Sequence, residues 1–246
     1  MCILGFAIKE HPGFPFIFVA NRDEFYHRKT AAAQFWRKYP SILAGVDLEK
    51  GGTWLGITKE GKFAALTNVR EQSKESKDVS SRGELVSNYL QGTRGFHESI
   101  LNKEGYGGYN LLYGDIKDLT FVSNRSNETF LLKEGLHAIS NSPTLNSNWP
   151  KVNKLREGIK KSLSIKNQVD LEEELMEELQ NETVFNDNSF SEVERMLSPV
   201  FIKSNEYGTR TSNVIIVDNE NNCTFLERTH VPSVTDRRYT FKINNN

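Results

Sequence analysis

Two apolar runs, residues 2–8 and 14–20, open the chain on either side of a polar break formed by Lys9, Glu10, His11, Pro12 and Gly13. Pro12-Gly13 is a turn signal, so the pattern predicts an antiparallel hairpin. A hairpin centred between His11 and Gly13 pairs residues whose numbers sum to about 24 or 25. Cys2 then falls opposite Arg22 or Asp23, within the cluster Asn21, Arg22, Asp23 and Glu24 that directly follows the second run.

Beyond the hairpin, residues 25–39 read as a polar loop, interrupted by Ala31, Ala32 and Ala33. Strands are expected over residues 42–47, 51–57 and 63–68, the last two joined by a turn at 59–62. Residues 71–80 are charged and serine-rich and read as a mobile connection. Ser81 and Glu84 then show capping-box spacing ahead of Leu85, Val86, Tyr89 and Leu90, with Gly92 as the stop. A short helix over 96–102 precedes strands over 109–113, 119–123, 129–132 and 136–139.

From residue 149 to 197 the period is helical. Val152, Leu155, Ile159 and Leu163 form one stripe, Leu171, Leu175, Met176 and Leu179 a second, and Val193, Met196 and Leu197 a third that ends at Pro199. The charges between them read as solvated faces. Strands over 211–217 and 224–229 flank a turn at 219–222, an edge strand is expected over 238–243, and the Asn-rich end should fray. Helices that come in groups between groups of strands do not make βαβ units. They predict an α+β fold in one domain, residues 1–246: an αββα sandwich of two mostly antiparallel sheets with helices outside.

Composition narrows the function. With 37% hydrophobic and 26% charged residues, the 246-residue chain has the make-up of a soluble globular protein. A formal net charge of −1 steers it toward neither nucleic acid nor an acidic membrane. Two cysteines, Cys2 and Cys223, make no disulfide framework, which points to a reducing, cytoplasmic setting. The N-terminus lacks a signal-peptide pattern, and no run approaches the roughly 20 apolar residues of a membrane span, so no stable membrane insertion is expected. The sequons at Asn124, Asn127, Asn181 and Asn222 read as incidental. The five histidines show no metal-ligand spacing, and neither a metal nor a cofactor is expected.

Cys2 carries the sharpest chemistry. Removal of Met1 would leave a free α-amine on the residue that bears the thiol, joining a nucleophile to a base of pKa about 7.7–8.0. A carboxylate from the cluster opposite can orient the ammonium, and a guanidinium can favour the thiolate. The plain alternative is a small apolar residue on a buried strand, with Arg22 and Asp23 as an ordinary ion pair. Gly51, Gly52, Thr53 and Trp54 lack the lysine of a phosphate loop. The glycines allow close backbone approach, and Trp54 suits a core or pocket wall. Asn68 ends one strand and Asn141 follows another; each is either an oxyanion donor or a turn residue. Arg210 either binds a carboxylate or braces the Asp23 region. Cys223 reads as a strand residue.

Taken together, Cys2, Asn21 to Glu24, the Gly51-Gly-Thr-Trp-Leu-Gly run, Thr67-Asn-Val-Arg, Ser81-Arg-Gly-Glu-Leu-Val, Asn110-Leu-Leu, Ser140-Asn-Ser-Pro with Trp149-Pro-Lys, and Tyr207-Gly-Thr-Arg-Thr-Ser resemble the NRDE family, which includes the eukaryotic transport and Golgi organisation proteins. The family looks like a branch of the N-terminal nucleophile hydrolases, whose cysteine members include penicillin V acylases and bile salt hydrolases. The resemblance implies Cys2 as nucleophile, Asp23 as partner of the α-amine, Asn141 and more weakly Asn68 as oxyanion donors, and Arg210 as a site arginine. Arg22 departs from the acylase pattern: it immediately precedes Asp23, so on a strand the two face opposite sides. Asn21, Glu24, Thr53 and Trp54 are the expected substrate contacts.

Two functions follow from these residues. One is a cysteine amidohydrolase acting on a small non-peptide amide through an acyl-Cys2 thioester. The other is a non-catalytic carrier or trafficking protein that binds haem, acyl-CoA or another amphipathic ligand, with Phe14, Phe16, Phe18, Phe25, Trp36 and Trp54 as candidate lining.

Overall fold

The computed structural model describes residues 2–70 and 80–244. The connection expected at 71–80 therefore lies outside the described residues, apart from Ser80, which bridges to Tyr106; the last two asparagines of the expected frayed end lie outside them as well. In chain order the strands are β1 (Cys2–Ile8), β2 (Phe16–Phe25), β3 (Thr30–Phe35), β4 (Ile42–Asp47), β5 (Leu55–Thr58) and β6 (Lys62–Asn68). Helices α1 (Gly83–Gln91) and α2 (Phe96–Leu101) come next, followed by β7 (Tyr109–Asp115), β8 (Asp118–Ser123), β9 (Thr129–Leu131) and β10 (Gly135–Ile139). Helices α3 (Pro150–Ser162), α4 (Gln168–Leu179) and α5 (Glu192–Met196) lead into β11 (Tyr207–Val217), β12 (Asn222–Thr229) and β13 (Thr235–Lys242).

The elements gather into two compact units. One takes the chain up to His27, Glu134–Ser140 and Leu145–Thr240; the other takes Arg28–Lys133, Asn141–Thr144 and the chain from Phe241.

The first unit is built on a six-stranded sheet of order β10-β1-β2-β11-β12-β13. Its central strands read as continuous apolar runs because both faces are buried. On one face Ile3, Ala7, Ile17, Val19, Val214 and Ile216 pack with Leu155 and Ile159 of α3 and Leu171, Leu175 and Leu179 of α4. The other face carries Phe6, Phe16 and Phe18, with the rings of Phe6 and Phe18 stacked at 6.4 Å. Gly5 fixes how closely α3 lies on β1: a Cβ there would come within 2.5 Å of Ile159 Cδ1 and 3.0 Å of Leu155 Cδ2.

The second unit is a seven-stranded meander in sequence order, β3 to β9. Helices α1 and α2 cover a face formed by Ile42, Ala44, Ala64, Leu66, Leu111 and Val122. The close approach expected of Gly51-Gly52 is present. A Cβ on Gly52 would lie 2.5 Å from the Gly83 carbonyl carbon, so the loop before β5 abuts the first turn of α1.

Several local expectations change. Within residues 25–39, read as loop, lies the strand β3; its Thr-Ala-Ala-Ala-Gln-Phe sequence has weak strand propensity and is held by pairing with β4. Ser81 does not form a capping box. Arg82 occupies the N-cap, no side chain caps α1, and the Ser81 carbonyl accepts from Glu84 N instead. The capping box is at Ser191 and Glu194, where it secures the five residues of α5. Strand β11 begins at Tyr207, four residues earlier than expected, because it pairs with the polar end of β2. The helical charges are not all solvated either. Lys151 and Glu172 are buried, Glu172 against Arg238 and Gln168 and Lys151 in the site described next.

Candidate active site

The β1–β2 register sets Cys2 opposite Arg22, with Leu4 opposite Ala20 and Ile8 opposite Phe16. Directly paired residues on antiparallel strands share a face, so the Arg22 side chain accompanies the Cys2 thiol. Strand alternation sends Asn21 and Asp23 to the other face, toward the helices. Cys2 is 8% exposed, and its carbonyl accepts a hydrogen bond from Ser140 Oγ at 3.0 Å, which pins the start of β1 to the end of β10.

Asp23 is held on its own face by β11. Thr209, its cross-strand partner, donates its hydroxyl to Asp23 Oδ1 at 2.8 Å and accepts from Ile202 N. The Tyr207 hydroxyl donates to the Asp23 carbonyl at 3.2 Å. Arg22 Nη2 lies 3.9 Å from Glu24 Oε2, two residues along the same strand face. Burial pushes the Cys2 thiol above its ordinary range, and the charges of Asp23 and Glu24 push the same way while Arg22 opposes them. The resting thiol is therefore protonated, and attack requires a base to take its proton.

Sequence reasoning gave no role to one member of this group. Lys151, in the first turn of α3, is 1% exposed. Burial pushes its ammonium down, while the charges of Asp23 and Cys2 pull it up. Burial likewise pushes Asp23 up, and the Lys151 charge pulls it back. The signal was present in the helical period: Lys151 falls four residues before Leu155 and eight before Ile159, on the buried stripe.

The other expected site residues divide between the units. Asn21, expected at the substrate, is fully buried and gives its amide hydrogens to the carbonyls of Leu179 and Val200, at 2.7 and 2.9 Å. Its Oδ1 accepts from Ser212 Oγ at 2.6 Å. With both amide hydrogens donated, Asn21 is a brace between β2, the last residue of α4 and the segment that follows α5. Arg210 sits at a bulge in β11 and gives Nη1 to the carbonyls of Phe25 and Tyr26, at 3.0 and 2.8 Å, fixing the chain just past the polar cluster. In the second unit Asn141 Nδ2 donates to the Asn68 carbonyl at 2.7 Å, and the Asn141 carbonyl accepts from Arg70 N. Thr53 is buried with its hydroxyl on the Leu55 carbonyl, and Trp54 covers Gly45. Of the aromatic residues considered for a carrier, Phe14, Phe16 and Phe18 are buried in the first unit, and Trp36 packs against the α1 core of the second.

Behind Asn21 the hydrogen-bond chain continues to His230. Ser212 gives its proton to Asn21, so His230 Nε2, 2.9 Å from Ser212 Oγ, is the donor. Burial and the nearby Arg228 push the His230 pKa down to about 4. The unfolded imidazole, with an ordinary pKa near 6.5, binds its proton first as pH falls, so stability drops between about pH 6.5 and 4, by about 1–2 kcal/mol once solvent screening of the half-buried ring is allowed for. Urea midpoints at pH 7 and pH 4.5 should show this loss in the wild type, and H230Q, which retains a donor toward Ser212, should lose less.

Among the described residues, no three His, Cys, Asp or Glu side chains gather as a metal site would require, and no helix is long and apolar enough to cross a membrane.

A family model described as Transport and Golgi organisation 2 matches residues 1–232. The chain belongs to the Transport and Golgi organisation 2 family. The resemblance read from its motifs is thus a membership. A Mus musculus relative, "Transport and Golgi organization 2 homolog", is 32% identical over 267 residues, covering 96% of each chain. A Homo sapiens relative, "Transport and Golgi organization protein 2 homolog", is 34% identical, covering 93% of this chain and 92% of its own. Among solved structures, penicillin V acylase from Agrobacterium tumefaciens matches with a TM-score of 0.54 at 10% identity, over 99% of this chain and 86% of that one. A likeness at that identity is one of fold. It agrees with the expected α+β class: this Transport and Golgi organisation 2 family member has the two antiparallel sheets and grouped helices of that acylase.

Proposed function

We propose that this protein is a cysteine amidohydrolase of the N-terminal nucleophile type, acting on a small non-peptide amide after loss of Met1. In this reading the Cys2 thiol proton passes from Sγ to the α-amine of the same residue, and the sulfur attacks the amide carbonyl. As the tetrahedral intermediate collapses, the C–N bond breaks, the amine takes the proton held on the α-ammonium, and a thioester remains on Cys2. Water, deprotonated by the α-amine, then releases the acid and restores the thiol. Asp23 orients the amine, and Arg22 stabilises negative charge on sulfur.

What carries the reading is the β1–β2 register, which seats Cys2 opposite Arg22 and one residue from Asp23. The acylase-like fold is a further support. The test is covalent labelling of the purified protein by a small electrophilic acylating probe such as a β-lactone. Saturable, stoichiometric labelling at Cys2 is expected; labelling no faster than that of the unfolded chain would refute it.

A further inference from the structure

Helix α3 begins with Pro150, and its first turn has no acidic residue to offset the positive helix end. Lys151 sits in that turn. A buried ammonium there is unfavourable twice over, by desolvation and by the helix dipole. Its Nζ has no hydrogen-bond partner among the described residues. Leu155 and Ile159, one and two turns further along the same stripe, are the residues seated on Gly5 of β1. Lys151 is therefore on the helix-facing side of the sheet, where Asp23 points, and near enough to Asp23 and Cys2 for their charges to act on it.

We propose that Lys151 is a positioning residue of the Cys2 site: as the resident counter-cation of Asp23, it leaves the Cys2 α-amine neutral and free to take the thiol proton. The inference rests on the amidohydrolase reading.

Proton bookkeeping gives the reason. Arg22 offsets Glu24, and Lys151 offsets Asp23, so these four side chains sum to zero. That sum holds whether Asp23 and Lys151 are both charged or both neutral. With the α-amine neutral, the proton moves from Sγ to nitrogen and produces thiolate and ammonium with no change in net charge. Without Lys151, the α-ammonium itself would have to neutralise Asp23. The thiol proton would then have no acceptor, and its loss would leave an uncompensated negative charge in a buried site.

The experiment follows the rate of Cys2 alkylation by iodoacetamide in the Met1-processed chain from about pH 5 to 9, read at the N-terminal peptide by mass spectrometry. K151M removes the charge and keeps the shape. Its profile should move up by about one pH unit, so that labelling at pH 7 falls about tenfold. K151R keeps the charge and should stay within a few tenths of a unit of wild type. The double variant K151M/D23N leaves neither buried charge unpaired; because it also loses the carboxylate that orients the amine, it is read for stability and not for reactivity, and its urea midpoint should lie above that of K151M. A K151M profile that superimposes on wild type, a K151R profile displaced as far as K151M, or a double variant no more stable than K151M each overturns the proposal. A wild-type Cys2 that reacts no faster folded than unfolded overturns the amidohydrolase reading and this inference with it; a reactive wild-type Cys2 with an unmoved K151M profile overturns the inference alone.

Discussion

Replacing Cys2 with alanine should abolish acylation by a small amide or β-lactone probe while leaving the protein folded. Removal of a catalytic nucleophile typically lowers turnover by several powers of ten, so a fall of at least about a thousand-fold is expected. The structural cost is small. Cys2 is the first described residue of β1, its strand hydrogen bonds are backbone bonds, and Ser140 holds its carbonyl, which alanine retains. Losing one buried sulfur should cost about 1 kcal/mol. Cys2→Ser tests a finer point. A hydroxyl is a poorer nucleophile than a thiol at neutral pH, so the serine variant should label far more slowly than wild type even with the α-amine in place. Cys223 is the internal control. It is buried in β12 and burial holds its thiol well above the ordinary range, so Cys223→Ala should leave labelling unchanged.

Asn21→Leu should be the most damaging single change to stability near the site. Leucine is close in size, so the loss is of hydrogen bonds rather than volume. The carbonyls of Leu179 and Val200 lose their donors, the Ser212 hydroxyl loses its acceptor, and all three residues are buried. Leaving buried polar groups unmet costs about 1–3 kcal/mol each, so for three groups a total of about 3–9 kcal/mol is expected. The urea unfolding midpoint measures it, with Asn21→Asp as a comparison that keeps the acceptor and loses the donors. A leucine variant within about 1 kcal/mol of wild type would mean that water or backbone movement meets these carbonyls. Asn21 would then be no brace.

The opening hairpin was legible from residues 2–25 because its signals agree: two apolar runs, a Pro-Gly turn, and a polar cluster that only one register brings to the chain start. The two antiparallel sheets and the grouped helices could be read for the same reason. Strand β3 could not, since Ala31, Ala32 and Ala33 carry no strand preference and their conformation is dictated by β4. The bracing contacts of Asn21 and the burial of Lys151 are not legible in the sequence, for a shared reason. A polar side chain is ordinarily assigned to water or to a ligand, and only coordinates reveal that its partners are backbone carbonyls or a buried carboxylate. For Lys151 the helical period did hold the clue, a lysine on an otherwise apolar stripe, but it was outweighed by the many exposed charges around it. Arg210 shows the same limit: the bulge that aims it at the Phe25 and Tyr26 carbonyls comes from strand pairing across nearly two hundred residues.

The most direct test of the account is peptide mapping of the N-terminus after the purified protein has been quenched during exposure to an acylating amide probe. The account predicts a terminal peptide that begins at Cys2 and carries the acyl adduct on its sulfur. A terminal peptide that retains Met1 in every molecule, or an adduct found only at other residues, would contradict it.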